Sequence, residues 1–193
     1  PGDDVLDGGA GDDILRDGPL VDQYVLSGTA FENLNLNDTD SGVVTILDET
    51  DTDTATINLM GDVFRFNDIT FSGQSLFVAP SGVASFGGPV FPQDNFDLTD
   101  TPNYVGGVPI LAPLFDNWVT GLNSPPGLIL PDAKVLYLFE DTNADFINDR
   151  LIIEWNDVYH RDQIDTTSAP VLKAGASPVT FQVILELNTF DRD

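Results

Sequence analysis

From Gly61 to the C-terminus the apolar residues fall in strand-length runs, VFRF, SLFVA, VASF, VPILAPLF, KVLYLF, RLIIEW and VTFQVILEL, and helical periodicity is almost absent. Short runs rich in β-branched and aromatic residues, parted by turn residues, specify strands. The stretches FGGPVFP and NSPPG supply the Gly, Pro and Asn that the turns require. The expected fold is therefore all-β, a two-sheet antiparallel β-sandwich. In RLIIEWNDV, alternation sends Leu151, Ile153 and Trp155 to one face and Ile152 and Glu154 to the other. In VTFQVILEL the inward set is Val179, Phe181, Val183 and Leu185.

The 193 residues allow one domain and an extra piece, or two small domains, and 41% hydrophobic residues with 13 Phe suffice for one sizeable core. Lys and Arg number 7 against 32 Asp and Glu, a net charge of -25, and such a field repels phosphate backbones and anionic lipid surfaces. Nucleic acid is excluded as a partner. Without cysteine, and with His160 as the single histidine, disulfides, thiol catalysis, thiolate zinc and histidine-rich metal sites drop out as well. No run approaches the roughly 18 apolar residues of a membrane span, so no membrane insertion is expected. The start, PGDDVLDGG, does not read as a signal peptide, and its lack of Met makes a piece of a longer protein the expectation. The acid is mostly Asp beside 17 Gly and 13 Pro, short oxygen ligands among turn residues, for which Ca²⁺ is the natural counter-ion.

The sharpest motif lies at Gly8 to Arg16, GGAGDDILR, which matches the nonapeptide GGxGxDxUx at every fixed position. The preceding PGDDVLD keeps the same frame, with Asp4 and Leu6 standing where Asp13 and Leu15 stand one repeat later. The spacing has a mechanism. Gly8, Gly9 and Gly11 permit the tight turn, backbone carbonyls and the carboxylates of Asp4 and Asp13 face Ca²⁺, and the apolar residue fills a parallel β-roll. The segment resembles RTX repeats, and the resemblance implies a calcium-dependent bacterial protein, secreted or at the cell surface, commonly exported by type I secretion. After Arg16 the pattern decays to DGPLVDQ, so residues 1–18 read as the remnant of a longer roll. The competing reading is a flexible Gly/Asp linker.

Two acidic turns are candidate cation sites. Between VVTIL (Val43 to Leu47) and ATINL (Ala55 to Leu59), a pair expected to form a hairpin or a sheet edge, lie Asp48, Glu49, Asp51 and Asp53. A solvated acidic turn is the competing reading there. In DTNADFINDRLI, Asp141, Asn143 and Asp145 copy the first three ligands of an EF-hand loop. Phe146 then replaces the turn glycine and Ile152 takes the place of the bidentate Glu, so a standard EF-hand is excluded. What is left is a hairpin joining VLYLF to RLIIEW, or a calcium site of another kind using Asp141, Asn143, Asp145 and Asp149.

Over about two thirds of the chain the order of the runs resembles the extracellular nidogen-like (NIDO) domain, particularly its bacterial variants. FRFNDITFSGQSLFVAPSGVASFGG resembles the family's opening, ILAPLFDNW its Ala-Pro-aromatic-Asp stretch, and VLYLFED, RLIIEWNDV and VTFQVILEL its successive strands. The family's usual closing strand is missing, since the sequence stops at FDRD. The resemblance implies an adhesive extracellular module, associated with cell–matrix attachment and without catalytic residues. It makes Ala112, Pro113, Phe115, Trp155 and Phe181 structural, and Trp118 either a packed residue or an exposed platform for a sugar. The expected organisation is 1–18 an RTX remnant, 19–60 acidic linking strands whose membership of the sandwich stays open, and 61–193 the nidogen-like domain.

Catalysis finds little support. A Ser-His-Asp arrangement would need His160, with Asp157 and Asp162 near it in sequence, and no GxSxG elbow occurs. Thirty-two acids make any pair of carboxylates uninformative for glycoside hydrolysis. The functional expectation is a non-catalytic adhesion or matrix-attachment module with Ca²⁺ as a structural ion, its partner an extracellular-matrix protein, a cell-surface protein or a glycan. The alternative is a calcium-dependent glycan-binding module appended to a secreted enzyme.

Overall fold

The computed structural model describes residues 34–66, 69–89, 109–123 and 127–189, together with the backbone of 14–16 and 23–25. The chain divides into two compact units, Pro1–Asn35 and Leu36–Asp193. In the first, β1 (Ile14–Arg16) pairs antiparallel with β2 (Gln23–Val25). The expected repeat residues Asp4, Gly8, Gly9, Gly11 and Asp13 lie outside the described residues, as does the rest of the expected roll apart from Ile14–Arg16.

The second unit is all-β and sandwich-like. Its strands in chain order are β3 (Val44–Asp48), β4 (Ala55–Asn58), β5 (Val63–Phe66), β6 (Ile69–Ser72), β7 (Ser75–Ala79) and β8 (Val83–Phe86). Then come β9 (Ile110–Leu111), β10 (Trp118–Val119), β11 (Gly121–Leu122), β12 (Leu128–Ile129), β13 (Lys134–Glu140) and β14 (Arg150–His160). A 3-10 turn, Arg161–Gln163, precedes β15 (Ile164–Asp165), β16 (Val171–Leu172) and β17 (Val179–Glu186). One sheet runs β3-β13-β14-β17, with β10 paired to the far end of β14, and the other runs β4-β7-β8-β9. Every described pairing is antiparallel, and β5-β6, β11-β12 and β15-β16 form small two-stranded sheets.

The main core lies between the two larger sheets. Leu47, Val135, Leu151, Ile153, Trp155, Val158 and Leu185 from the first meet Ile57, Leu76, Val78, Ala84 and Phe86 from the second. Trp155 is 0% exposed, stacks on Phe181 with centroids 5.0 Å apart, and donates its indole N–H across the core to the Ala79 carbonyl at 2.9 Å. That bond satisfies the one polar atom such a ring would otherwise bury at a cost. Beside it Phe64, Phe71 and Phe86 stack, the last two with centroids 4.0 Å apart.

Alternation sets the inward faces of β14 and β17 until a bulge intervenes. The register between these strands shifts between Trp155 and Val158, and Asp157 adopts φ 48°. The extra residue turns Val158 into the core where strict period-two spacing would have placed Asp157. Of the two expectations for VVTIL and ATINL, a hairpin or a sheet edge, the second holds: β3 pairs with β13 and β4 with β7, so each lies on the edge of a different sheet. Both faces of β14 are covered here, since Ile152 and Glu154, opposite the core set, are both 0% exposed.

Gly82 and Gly121 are among the glycines required by contact. Gly82 closes the β7–β8 turn at φ +80°, where an added Cβ would lie 2.1 Å from the Leu114 carbonyl oxygen. That approach also lets Asp116 N–H bond the Ser81 carbonyl at 3.1 Å, seating the 112–117 segment on the turn. At Gly121 a Cβ would lie 2.6 Å from the Glu49 Cα, where Thr50 and Thr120 exchange buried hydrogen bonds.

Candidate functional site

The β13–β14 hairpin positions the acidic loop that the sequence singled out. Glu140 and Arg150 close the ladder opposite each other, the Arg150 Nε donating to Glu140 Oε2 at 2.6 Å. Beyond that pair the loop is held by its own carboxylates. Asp141 Oδ1 accepts from the amides of Ala144 at 2.7 Å and of Asn143 and Asp145 at 3.3 Å, and Oδ2 accepts from Phe146 N–H at 2.8 Å. Asn143 Oδ1 takes the Asp145 amide and Asp145 Oδ1 the Ile147 amide, each at 2.9 Å. At the base, Asp149 Oδ2 accepts from the Thr142 amide at 2.7 Å and from the Thr142 hydroxyl.

Phe146 takes φ 70° and Ala144 φ 62°, so a bulky side chain adopts the left-handed backbone that glycine provides in the related loops. Desolvation acts to raise the Asp141 pKa, but the amides of Phe146, Ala144, Asn143 and Asp145 together hold it below the usual carboxylate value. The hairpin reading of this segment and the clustering of its carboxylates are thus compatible, since the acids build the turn.

Residues distant in sequence fix the loop to the sandwich. Asn148 Nδ2 donates to Asp62 Oδ2 at 2.7 Å, and Asn188 Nδ2 donates to Asp62 Oδ1 at 2.9 Å and to the Asn148 carbonyl at 2.8 Å. Asn188 also receives the Val63 amide at 2.9 Å. The turn after β4, the loop, and the end of β17 therefore share one end of the molecule. That end exposes Phe146 (98%) and Met60 (87%), with Ile147 half-exposed. A cavity of about 240 Å³ opens beside the loop, lined by Thr142, Asp149, Arg150, Glu186, Leu187 and Thr189. Asp62, Asn148 and Asn188 were missed in the sequence, because an Asn or Asp in a turn carries no local sign of which distant turn it will meet.

Asp141, Asn143 and Asp145 are brought into one loop, and Asp4, Gly8, Gly9, Gly11 and Asp13 lie outside the described residues. Among the described residues no three Asp, Glu or His side chains converge in a geometry that could hold a metal ion. In the Asp48 to Asp53 turn it is Thr50 that organises the backbone, its hydroxyl accepting from the Thr52 amide at 3.4 Å and the Asp53 amide at 3.2 Å.

The lone imidazole sits in a structural cluster. His160 Nδ1 accepts from the Asp162 amide at 3.2 Å, which leaves the proton on Nε2 to reach Asp116 Oδ1 at 3.2 Å. Trp118 packs edge-on against this ring, centroids 5.6 Å apart, and spends its indole N–H on the Leu114 carbonyl at 3.0 Å. Half-buried and 6.2 Å from the Phe181 ring, it is a packing residue with one ring edge committed. Of the residues expected to be structural, Trp155 is buried and Ala112, Phe115 and Phe181 are half-buried, but Pro113 is exposed. The reason is position: residues 112–117 cap the end of a sheet whose last strand, β9, is only two residues long.

The fold and site define an all-β, sandwich-like module that presents an acidic, aromatic-tipped loop at one end. No protein-family model, curated protein or solved structure matches the chain.

Proposed function

We propose that this chain is a non-catalytic extracellular module for adhesion or matrix attachment, belonging to a secreted or surface protein of RTX type and using Ca²⁺ as a structural ion. The observation that carries this reading is the tip of the Asp141–Asp149 loop. Phe146 is 98% exposed on a left-handed backbone, and the loop beneath it is anchored through Asn148, Asp62 and Asn188. A bulky apolar side chain held out in water gives the fold nothing, whereas contact residues on a loop fixed to a rigid scaffold are a common arrangement for binding. The nidogen-like resemblance supports the same reading, as does the order in which the matching segments follow one another: β5 to β8, the 110–118 segment, and the β13, β14 and β17 strands. On this reading residues 1–18 are the RTX remnant, 19–60 lead into the sandwich and complete its edges, and 61–193 carry the nidogen-like strands.

Calcium fits the donor chemistry of the loop: Asp141, Asn143, Asp145 and Asp149 offer hard oxygens and the segment lacks nitrogen or sulfur ligands. As folded, the carboxylates of the loop do not converge on one point, so these residues would hold the ion only after the loop rearranges, with Asp4, Asp13 and the carbonyls around Gly8, Gly9 and Gly11 holding others in the repeat. The ion would neutralise the acids and stiffen the loop. Because Asp141 already accepts four amides, binding exchanges some of those hydrogen bonds for coordination.

The test is retention of the protein on surfaces coated with extracellular-matrix proteins, in Ca²⁺ or in Mg²⁺ at matched ionic strength. Calcium-dependent retention that falls in Phe146→Ser is expected. Hydrolysis of ester, peptide or glycoside substrates that disappears in His160→Ala would overturn the non-catalytic reading. The glycan-binding alternative draws support from the cavity, whose volume and hydroxyl and carboxylate lining suit one sugar ring. A defined sugar on a glycan array, lost in Glu186→Gln, would favour it.

A further inference from the structure

Glu154 projects from the centre of β14 onto the outer face of its sheet, opposite Leu136 of β13 and Gln182 of β17. It is 0% exposed. Its Oε2 accepts from the Leu36 amide at 3.1 Å, across 118 residues of sequence, and from the Gln182 side-chain amide. Its Oε1 is buried with no hydrogen-bond partner in the protein. The Leu36 side chain is buried, Asp38 pairs with Lys134 of β13, and Gly42 lies so close to Leu138 that a Cβ there would be 3.1 Å from its Cδ1. Residues 36–42 therefore form a strap across the outer face, tied at its start to a buried carboxyl.

We infer that Glu154 makes this strap a pH-gated latch, closed over the sheet while the carboxyl is protonated and released when it ionises. The chemistry is asymmetric. Protonated on Oε1, Glu154 is neutral and still accepts both N–H groups on Oε2. Ionised, it places a charge in the sheet's covered face with one oxygen lacking a donor, and the least costly relief is for the strap to lift and admit water.

The charged groups around Glu154 support the direction. Burial pushes its pKa above the ordinary carboxylate value against the pull of the Gln182 and Leu36 hydrogen bonds, and Asp157 on the same strand adds a like charge. On β13, Lys134 is compensated by Asp38; on β17 the facing residue is the neutral Gln182; on the strap, Asp40 is exposed. A carboxyl whose pKa is raised in the closed form favours closure below its open-form value, and that preference is lost as pH climbs through the closed-form value.

The experiment is NMR hydrogen exchange at the Leu36 amide of the whole chain, expressed as a protection factor to remove the intrinsic pH dependence, from about pH 4.5 to about pH 8. Protection should fall with rising pH by up to about tenfold for each unit by which closure raises the Glu154 pKa. In Glu154→Gln, which stays neutral and keeps an acceptor for Leu36, protection should be flat. Asp157→Asn leaves Glu154 in place, suits the left-handed backbone there, and should move the fall to lower pH. A flat profile in the native protein, a slope that survives Glu154→Gln, or an unmoved midpoint in Asp157→Asn overturns the latch.

Discussion

The two ends of the β13–β14 hairpin obey opposite rules although seven ladder pairs join them without interruption. At the core end, Trp155 is buried, stacked and hydrogen-bonded across the sheets, and its shape must match its neighbours. At the loop end, Phe146 touches water almost everywhere, and carboxylates rather than apolar contacts hold the backbone. The contrast teaches that stability and presentation are separable in this molecule. One end fixes the position of the strands, and the other uses that fixed position to hold out a side chain the fold does not need.

The hardest test of this division is at the core. Trp155→Ala removes a buried indole between the sheets and should cost about 3 to 5 kcal/mol, seen as a large drop in melting temperature. A shift of a degree or two would mean that the core end tolerates substitution as the loop does. The next effect is calcium. Binding to the folded form alone stabilises by about 2.7 kcal/mol at a hundredfold excess over Kd. Melts in Ca²⁺ against Mg²⁺ at matched ionic strength should show a calcium-specific rise. If Asp145→Ala reduces it, the loop is a site, and if only Asp13→Ala does, the ion belongs to the N-terminal repeat.

A smaller effect of opposite sign is expected at the tip. Phe146→Gly relieves a left-handed φ without losing packing, so it should stabilise by about 1 kcal/mol or less while lowering retention on the matrix surface. A destabilised variant would show that Phe146 contributes to the fold after all. The smallest effect is the pH response of Asp141, whose pKa is lowered in the folded loop. Its contribution is present above the ordinary value of 3.8 and is lost as pH falls through the lower folded value. Amide exchange at Phe146 should therefore quicken under acid before the core opens, and Asp141→Asn should remove that early phase.

Much of the fold was legible because it depends on local patterns. Six of the seven strand-length runs became strands while VPILAPLF kept only Ile110–Leu111 as strand, the inward sets of β14 and β17 up to Trp155 followed alternation, and the Asp141–Asp149 segment became the hairpin connection. The acids of that segment were legible as a group, but their use was not. Spacing shows that Asp141 can reach backbone two to five residues ahead, while only the folded turn shows four amides converging on it.

What the sequence by itself determined is whatever has a period of two or a turn residue behind it: the all-β class and the faces of the long strands. The tertiary structure decided partners. VVTIL and ATINL are adjacent in sequence and equally strand-like, yet they joined different sheets, because edge pairing is chosen by which distant strand offers a matching ladder and apolar face. It also decided where alternation stops, by placing a bulge at Asp157 so that Val158 reaches the core. Alternation put Glu154 on the face opposite the core set; only the folded chain shows that acid buried and bonded to the Leu36 amide, 118 residues away.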